Sequence, residues 1–411
     1  MQAEIICIGS ELSQGSLINT NAAYLSQRLI ALGIDVFYHT TVDDDNVRLF
    51  TVIKRAMHRS DIVITTGGLG PTVDDITLEI IAQATQKKLI LHHNVLKDIK
   101  LHFHRRRIPM PKDNIRQALV PEGAKTLKNK VGTAPGLIFP FEKKALIALP
   151  GVPGELRAMM KEEVIPYLAK NFSGKNVIIS RTIRTTGLAE SQVNQRIKPL
   201  LKSETPFYIG IYAHPGSVDL KVTAQAKNKL QAERMIRPAE KQIQAMFKEN
   251  IYGFDAQLLE QTVAQQLAKK KKTIAVAESC TGGLIAQRLT NLSGSSKYFP
   301  LGLIVYSNQA KQSLLGVPKD VLKKSGAVSK EVARIMAQNI KDLAKTDLGL
   351  GVTGIAGPTG GNEEKPVGLV YIALASARKL TSQEFYFHGN REKIRLRASQ
   401  AALDLVRRHL M

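Results

Sequence analysis

The 411-residue sequence predicts two α/β units flanking a small α+β module. Three observations predict it. Short apolar runs alternate with amphipathic stretches over residues 1–170, β-rich runs with little glycine-loop character replace them between about 171 and 252, and the alternation returns from 253 onward. In the first part "EIICIG", "DVFYHTTV" and "DIVITTGG" read as strands. "NAAYLSQRLIALG", "VRLFTVIKRAMHRS" and "DITLEIIAQATQ" carry the three-to-four-residue apolar spacing of helices. That order is the signature of a parallel sheet covered by helices, and "GLIFPF" and "KALIALPG" add further strands. The middle part reads as strands in "KNVIISRTIRTTG" and "FYIGIYAHPGSVDLKVTAQA", then a helix in "KLQAERMIRPAEKQIQAMF". In the last part the helix "AQLLEQTVAQQLAKKK" leads into strands at "TIAVAES", "PLGLIVYS", "DLGLGVTG" and "GLVYIALAS". No internal repeat links the two α/β parts. The expected domains are 1–170, 171–252 and 253–411.

Composition narrows the classes. With 44% hydrophobic and 23% charged residues the chain reads as a soluble globular protein. No apolar run reaches membrane-spanning length and "MQAEIICIGSEL" reads directly as a strand, so a cytoplasmic protein is expected. Cys7 and Cys280 are the only cysteines, too few for a disulfide framework or a cysteine-based zinc site. The formal charge of +23 raises nucleic-acid binding, but aromatics are 5%, there is no Trp, and the basic residues are spread along the chain. A solvated basic surface and anionic small substrates explain the charge as well. "AKKKKT" reads as an exposed helix end, and His92, His93, His102 and His104 as a solvated helix face, since their spacing fits no standard metal site.

"ITTGGLGPTVDDITLEII", residues 64–81, runs a buried strand into a glycine turn, with proline placed to open a helix. Backbone N–H groups of Gly67, Gly68 and Gly70 suit phosphate, yet neither a P-loop nor a dinucleotide fingerprint is complete. Asp74 and Asp75 admit two readings. They favour the helix N-terminus electrostatically, or they hold a divalent cation that bridges to phosphate. Glu11 and Asp44 also stand at strand ends, where ligands of open α/β sheets gather, which suggests a metal-dependent site for a diphosphate or nucleotide.

In the C-terminal part "AESCTGG" and "GVTGIAGPTGG" are two further glycine turns at neighbouring strand ends. Together, through Gly282, Gly283 and Gly354, they could hold one phosphate. Cys280 sits where thiolate is favoured, but no histidine lies nearby in sequence to act as its base, and a small buried thiol is the alternative.

With "GSELSQGSLINTNAAYLSQRL", "DNIRQALVPEGA", "VGTAPG" and "LPGVPGE", the segment "ITTGGLGPTVDDIT" resembles the molybdopterin-binding-like N-terminal half of the CinA family, the competence- and damage-inducible proteins A. "AESCTGGLIAQRLT", "SGSSKYF", "GLIVYSNQAKQSLLGV", "GAVS", "TGIAGPTGG" and "KPVG" resemble its C-terminal half, in the family's order along essentially the whole chain. The resemblance implies a nicotinamide-nucleotide amidase in the C-terminal domain, converting nicotinamide mononucleotide (NMN) to nicotinate mononucleotide and ammonia without a cofactor. It implies an ADP-ribose pyrophosphatase in the N-terminal domain, with Asp44 and Asp75 near a Mg, Mn or Co ion. Asp74 stands where molybdopterin-type relatives carry arginine, which favours a metal over a pterin. Asp43 replaces the glycine of the family's Val-Gly-Asp, an extra charge beside the acid matched by Asp44. For the amidase the resemblance implies Ser296 as nucleophile and Lys311 as its base. Thr353 and Ser279 would orient the carboxamide or stabilise the oxyanion, and Tyr306 would hold the nicotinamide ring. Arg391 and Arg395, one helical turn apart, are expected to clamp phosphate, with a solvated helix face as the alternative. A homodimer is implied. The competing reading is a non-catalytic competence or DNA-repair accessory, or a pterin carrier.

Overall fold

A computed structural model describes residues 1–172, 177–201 and 205–411. The chain forms two compact units, Met1–Ile179 with Gln225–Ala232, and Ser180–Ala224 with Glu233–Met411.

The first unit is built on a six-stranded sheet in the order Asp35–Val42, Gln2–Ile8, Ile62–Thr66, Lys144–Leu149, Gly136–Phe141, Lys125–Leu127. The first four strands are parallel and the last two antiparallel, so the sheet is mixed. Both faces are covered, as the apolar run of the first strand requires. Ile5 and Cys7 pack with Leu25 and Leu29 of the helix Thr20–Ala31. Ile6 and Ile8 point the other way, to Leu49 and Ile53 of Asn46–Arg59 and to Leu78 and Ile81 of Thr77–Ala84. Side chains close the helix starts: Asn19 accepts from the Ala22 N–H and Asp45 from the Arg48 N–H.

One boundary departs from expectation. Pro71 does not open a helix; the helix begins at Thr77, after a loop that folds back on the glycine turn. The cause is Thr77, whose hydroxyl donates to the Gly67 carbonyl at 2.9 Å and whose N–H donates to that of Gly68 at 3.1 Å. Gly67 is obligatory here. Its φ is +112° and a Cβ would meet the Ile8 carbonyl oxygen at 2.1 Å.

In the second unit a five-stranded sheet runs in the order Leu301–Ile304, Ile274–Glu278, Leu348–Gly354, Leu369–Ala375, Leu380–Tyr386. Its first three strands are parallel and the rest antiparallel. Ile274 and Val276 pack with Leu259, Val263 and Leu267 of the helix Leu259–Lys270 and with Ala398, Leu403 and Val406 of Arg391–His409. Ala275 and Ala277 face Leu315, Met336 and Ile340 on the opposite side. "AKKKKT" is the solvated end of Leu259–Lys270, as expected.

The middle segment forms a four-stranded sheet in the order Phe207–His214, Ser217–Ala226, Val177–Thr186, Ile251–Phe254, with helices Glu190–Leu201 and Lys229–Phe247. No described helix is long and apolar enough to cross a membrane.

Candidate functional site

In each large sheet the first strand sits between the second and third, so the chain leaves it in opposite directions and a crevice opens at the carboxyl ends. Both candidate sites lie at such a switch point.

In the first unit a cavity of about 740 Å³ is lined by the segments that follow the four parallel strands, including residues 9–11, Asp44, the turn 66–75 and residues 150–155. The turn leaves peptide donors open, but not the Gly67 N–H expected among them, which donates to the Leu149 carbonyl at 3.1 Å. Among the described residues, the N–H groups of Gly68, Leu69 and Gly70 have no acceptor. Gly68 is at φ +65°, and its Cβ would meet the Thr77 hydroxyl at 2.2 Å. Asp44 accepts from the Ser10 N–H and hydroxyl, each at 3.0 Å. Asp75 accepts from the Thr72 N–H at 2.8 Å and its hydroxyl at 2.6 Å. Each of those contacts uses one oxygen, Oδ2, and leaves Oδ1 facing no donor among the described residues. Both carboxylates line the same cavity as the turn. No group of three or more His, Cys, Asp or Glu side chains is arranged to hold a metal among the described residues. The donors fit a magnesium-like ion that takes one or two carboxylates and completes its shell with substrate phosphate and water.

The C-terminal site has different chemistry. The strand Ile274–Glu278 ends in Ser279, and the turn 280–283 leads into the helix Leu284–Thr290. Lys311, on the helix Asn308–Leu315, is 1% exposed. Its Nζ lies 2.8 Å from the Val305 carbonyl, 3.3 Å from that of Tyr306 and 3.1 Å from the Ser279 Oγ. No carboxylate pairs with it among the described residues, and burial pushes its ammonium below the usual lysine range. A neutral amine has two N–H bonds and one lone pair. As placed, Nζ donates to all three oxygens; once deprotonated it can keep its N–H bonds to the two carbonyls and accept from the Ser279 hydroxyl.

The pairing of Lys311 with Ser296 is corrected by the structure. Ser296 lies in the exposed turn Ser295–Lys297, before the strand Leu301–Ile304, and the neighbouring Tyr298 carbonyl accepts from the N–H of Ile274, the first residue of its strand. Tyr298 anchors that segment by donating to the Leu289 carbonyl at 2.9 Å. Ser296 is therefore at the amino end of the parallel strands and Lys311 at the carboxyl end, separated by about 13 Å of strand.

The phosphate role of the "CTGG" turn is corrected too. The Glu278 carboxylate, 1% exposed, accepts from the N–H groups of Gly283 (3.0 Å), Ile285 (3.2 Å) and Ala286 (2.8 Å). The Gly282 N–H bonds the Ser279 carbonyl at 3.1 Å. An internal acid thus fills the place an anion would take. Glu278 was not singled out by sequence; an isolated acid ending an apolar strand before a glycine turn is the signal that could have found it. The N–H groups of Cys280 and Thr281 have no acceptor on another residue among those described. They follow Ser279 as oxyanion donors follow a nucleophile on a strand-turn-helix elbow.

Cys280 is buried and has the surroundings of a core residue. Burial pushes its thiol up to about 12, so it packs as a small apolar side chain.

Thr353 lies on the adjacent strand, buried, with its hydroxyl donating to the Ala327 carbonyl at 2.8 Å. Its proton is committed, so it can accept from a carboxamide N–H but does not donate to an oxyanion. Gly354 follows it, where a Cβ would meet the Leu369 carbonyl oxygen at 2.7 Å. Tyr306 and Arg391 are brought together: the guanidinium donates to the Tyr306 hydroxyl and to the Gly357 carbonyl, both at 2.7 Å. Arg395 donates twice to the Thr281 carbonyl, at 2.8 and 3.2 Å, and braces the turn.

These two folds define the class: a protein with two mixed α/β domains and a small α+β module. The family model "Probable molybdopterin binding domain" matches residues 4–170, "Damage-inducible protein CinA KH domain" residues 180–253 and "CinA C-terminal domain" residues 256–410. A relative in Caldicellulosiruptor bescii named as competence-damage inducible is 48% identical over 411 residues, covering 100% of both chains. A CinA-like protein of Dictyoglomus thermophilum is 45% identical with the same coverage. The crystal structure of the CinA protein of Thermoplasma acidophilum, titled as of unknown function, is 35% identical, covering 40% of this chain and 99% of that one, with a TM-score of 0.38. The chain belongs to the CinA family of competence/damage-inducible proteins.

Proposed function

We propose that the C-terminal domain is a serine-lysine amidase that hydrolyses the carboxamide of NMN, with Ser279 as nucleophile. The observation that carries this reading is Lys311, buried without an acid and aimed at the Ser279 hydroxyl. Neutral Lys311 takes the hydroxyl proton as Ser279 Oγ attacks the carboxamide carbon. The N–H groups of Cys280 and Thr281 receive the oxyanion. Lys311 then returns the proton to the leaving nitrogen, which departs as ammonia, and water, deprotonated by the same amine, releases nicotinate mononucleotide and restores Ser279. The Tyr306–Arg391 pair, whose Tyr306 carbonyl also meets Lys311 Nζ at 3.3 Å, would meet the ring and phosphate of the nucleotide. Ammonia release from NMN tests this. Ser279→Ala and Lys311→Ala lose at least about a hundredfold in kcat while staying folded, the size of a lost nucleophile or base; Ser296→Ala keeps the wild-type rate. A Ser279→Ala enzyme that retains full turnover overturns the assignment.

A second reading, ADP-ribose cleavage in the N-terminal domain, is favoured by the three open N–H groups at 68–70 beside Asp44 and Asp75. Those carboxylates would hold the divalent ion, which supplies charge neutralisation at the diphosphate. The main-chain seat orients the phosphate against them. Asp43 is drawn aside by Arg48, which donates to it twice, at 2.9 and 2.7 Å. The extra acid is therefore balanced by an arginine of the helix Asn46–Arg59 and is not among the residues lining the cavity that Asp44 and Asp75 share.

A further inference from the structure

A second cavity, of about 750 Å³, lies within the second unit and belongs to neither site described above. One wall is the segment 186–190 with residues 213–218 of the middle module; the other is the last strand of the C-terminal sheet with the helix Arg391–His409. Its size is that of a small-ligand site, and junctions between modules are where such sites gather.

Its floor is aromatic. Phe385 and Phe387 stack at 5.3 Å with 11° between their planes, and Ala401 and Leu405 extend the apolar surface. Both rings are half-buried and lie on one face of the chain at alternate positions. The polar rim is unequal in its commitments. Asp404 is bound by Arg407 at 2.6 Å and by Arg408 at 2.7 Å, and Arg408 also meets Glu249 at 3.1 Å. Arg397 has no acid partner among the described residues; one of its amines donates to the His388 carbonyl and the remaining N–H groups are free to meet a ligand. The lining thus sets a stacked aromatic pair near a guanidinium with no acid partner among the described residues, Arg397, and it also includes the Glu190 carboxylate, so an anion seated here has to lie on the Arg397 side. A planar ring with an attached anion satisfies both, by stacking and by a charge-assisted hydrogen bond.

We propose that this cavity binds a mononucleotide-like ligand, base against Phe385 and Phe387 and phosphate on Arg397. It does not depend on the amidase or pyrophosphatase readings. A wall residue also connects to the amidase turn. The Thr186 hydroxyl is 3.4 Å from the Gln400 amide nitrogen, and Gln400 Oε1 accepts at 2.9 Å from Arg288, which lies on the helix that follows Ser279.

The test is hydrogen-deuterium exchange of the full chain with AMP, adenosine or ribose 5-phosphate as probe. AMP is expected to slow exchange in residues 186–190 and 383–388, with adenosine and ribose 5-phosphate each at least about tenfold weaker, as when one of two jointly required contacts is lost. Arg397→Gln and Phe387→Leu each weaken that protection at least about tenfold and leave ammonia release from NMN unchanged. Protection confined to the glycine turn of the first unit, protection at 186–190 and 383–388 undiminished in both variants, or no AMP protection at all overturns the proposal.

Discussion

Lys311 has its ammonium out of water with only neutral oxygens around it, and the cost of keeping it charged falls on the folded state alone. Its pKa is lower folded than unfolded, so between the two values the unfolded chain binds more protons and stability rises with pH. The same shift makes the base available: kcat/KM for NMN rises with pH and levels off below the pH at which an exposed lysine would titrate. Lys311→Met, similar in volume, abolishes ammonia release yet melts no lower than wild type, and its advantage grows as pH falls. A pH-stability series on both proteins reads this out, and a Met variant that melts well below wild type at acid pH contradicts it. Of the pair, Lys311 was legible from its place in the family pattern. Ser279 was legible as a site residue but not as the partner, because which serine meets the lysine depends on which end of the sheet each occupies. Ser296 and Lys311 are close in sequence, and a strand intervenes between them.

At the level of elements, the strands and helices could be read because apolar runs with glycine at their ends have few other solutions in a two-faced sheet. The helix after Gly70 was set too early, since Pro71 suits a turn as well as a first helical position and the deciding bonds come from Thr77. The seven-residue helix Leu284–Thr290 owes its start to Glu278, which from the preceding strand satisfies the N–H groups of the N-cap Gly283 and of Ile285 and Ala286. Glu278→Ala leaves them buried and unmet. Loss of about 2–4 kcal/mol is expected, given ~1–3 kcal/mol for each unsatisfied group and partial relief by water. Urea unfolding measures it, and kcat for NMN falls alongside because Ser279 begins the same turn. A loss under about 0.5 kcal/mol, the range of ordinary surface changes, would mean the carboxylate is dispensable.

Across the molecule, the two proposed chemistries stand in separate units and need different things. EDTA is expected to abolish conversion of ADP-ribose to AMP and ribose 5-phosphate while ammonia release from NMN continues, and Asp75→Asn reproduces the first effect without the second. Inhibition of both by EDTA would tie the amidase to a metal for which its described residues hold no acid cluster. The charge of +23 suggests anionic ligands in general but no location, since open donors such as the peptide groups at 68–70 are set by backbone geometry and not by composition. One contrast between the two glycine turns has a consequence for how each half can change. At 68–70 the open donors are peptide groups, which substitution of a neighbouring side chain does not remove. At 283–286 the equivalent donors already serve Glu278, so on the proposed reading a ligand's phosphate there would be met by side chains such as Arg391. On the functions proposed above, anion recognition in the first half is inherited with the backbone, whereas in the second half a single codon alters the phosphate contact, leaving that half the freer to acquire new substrates.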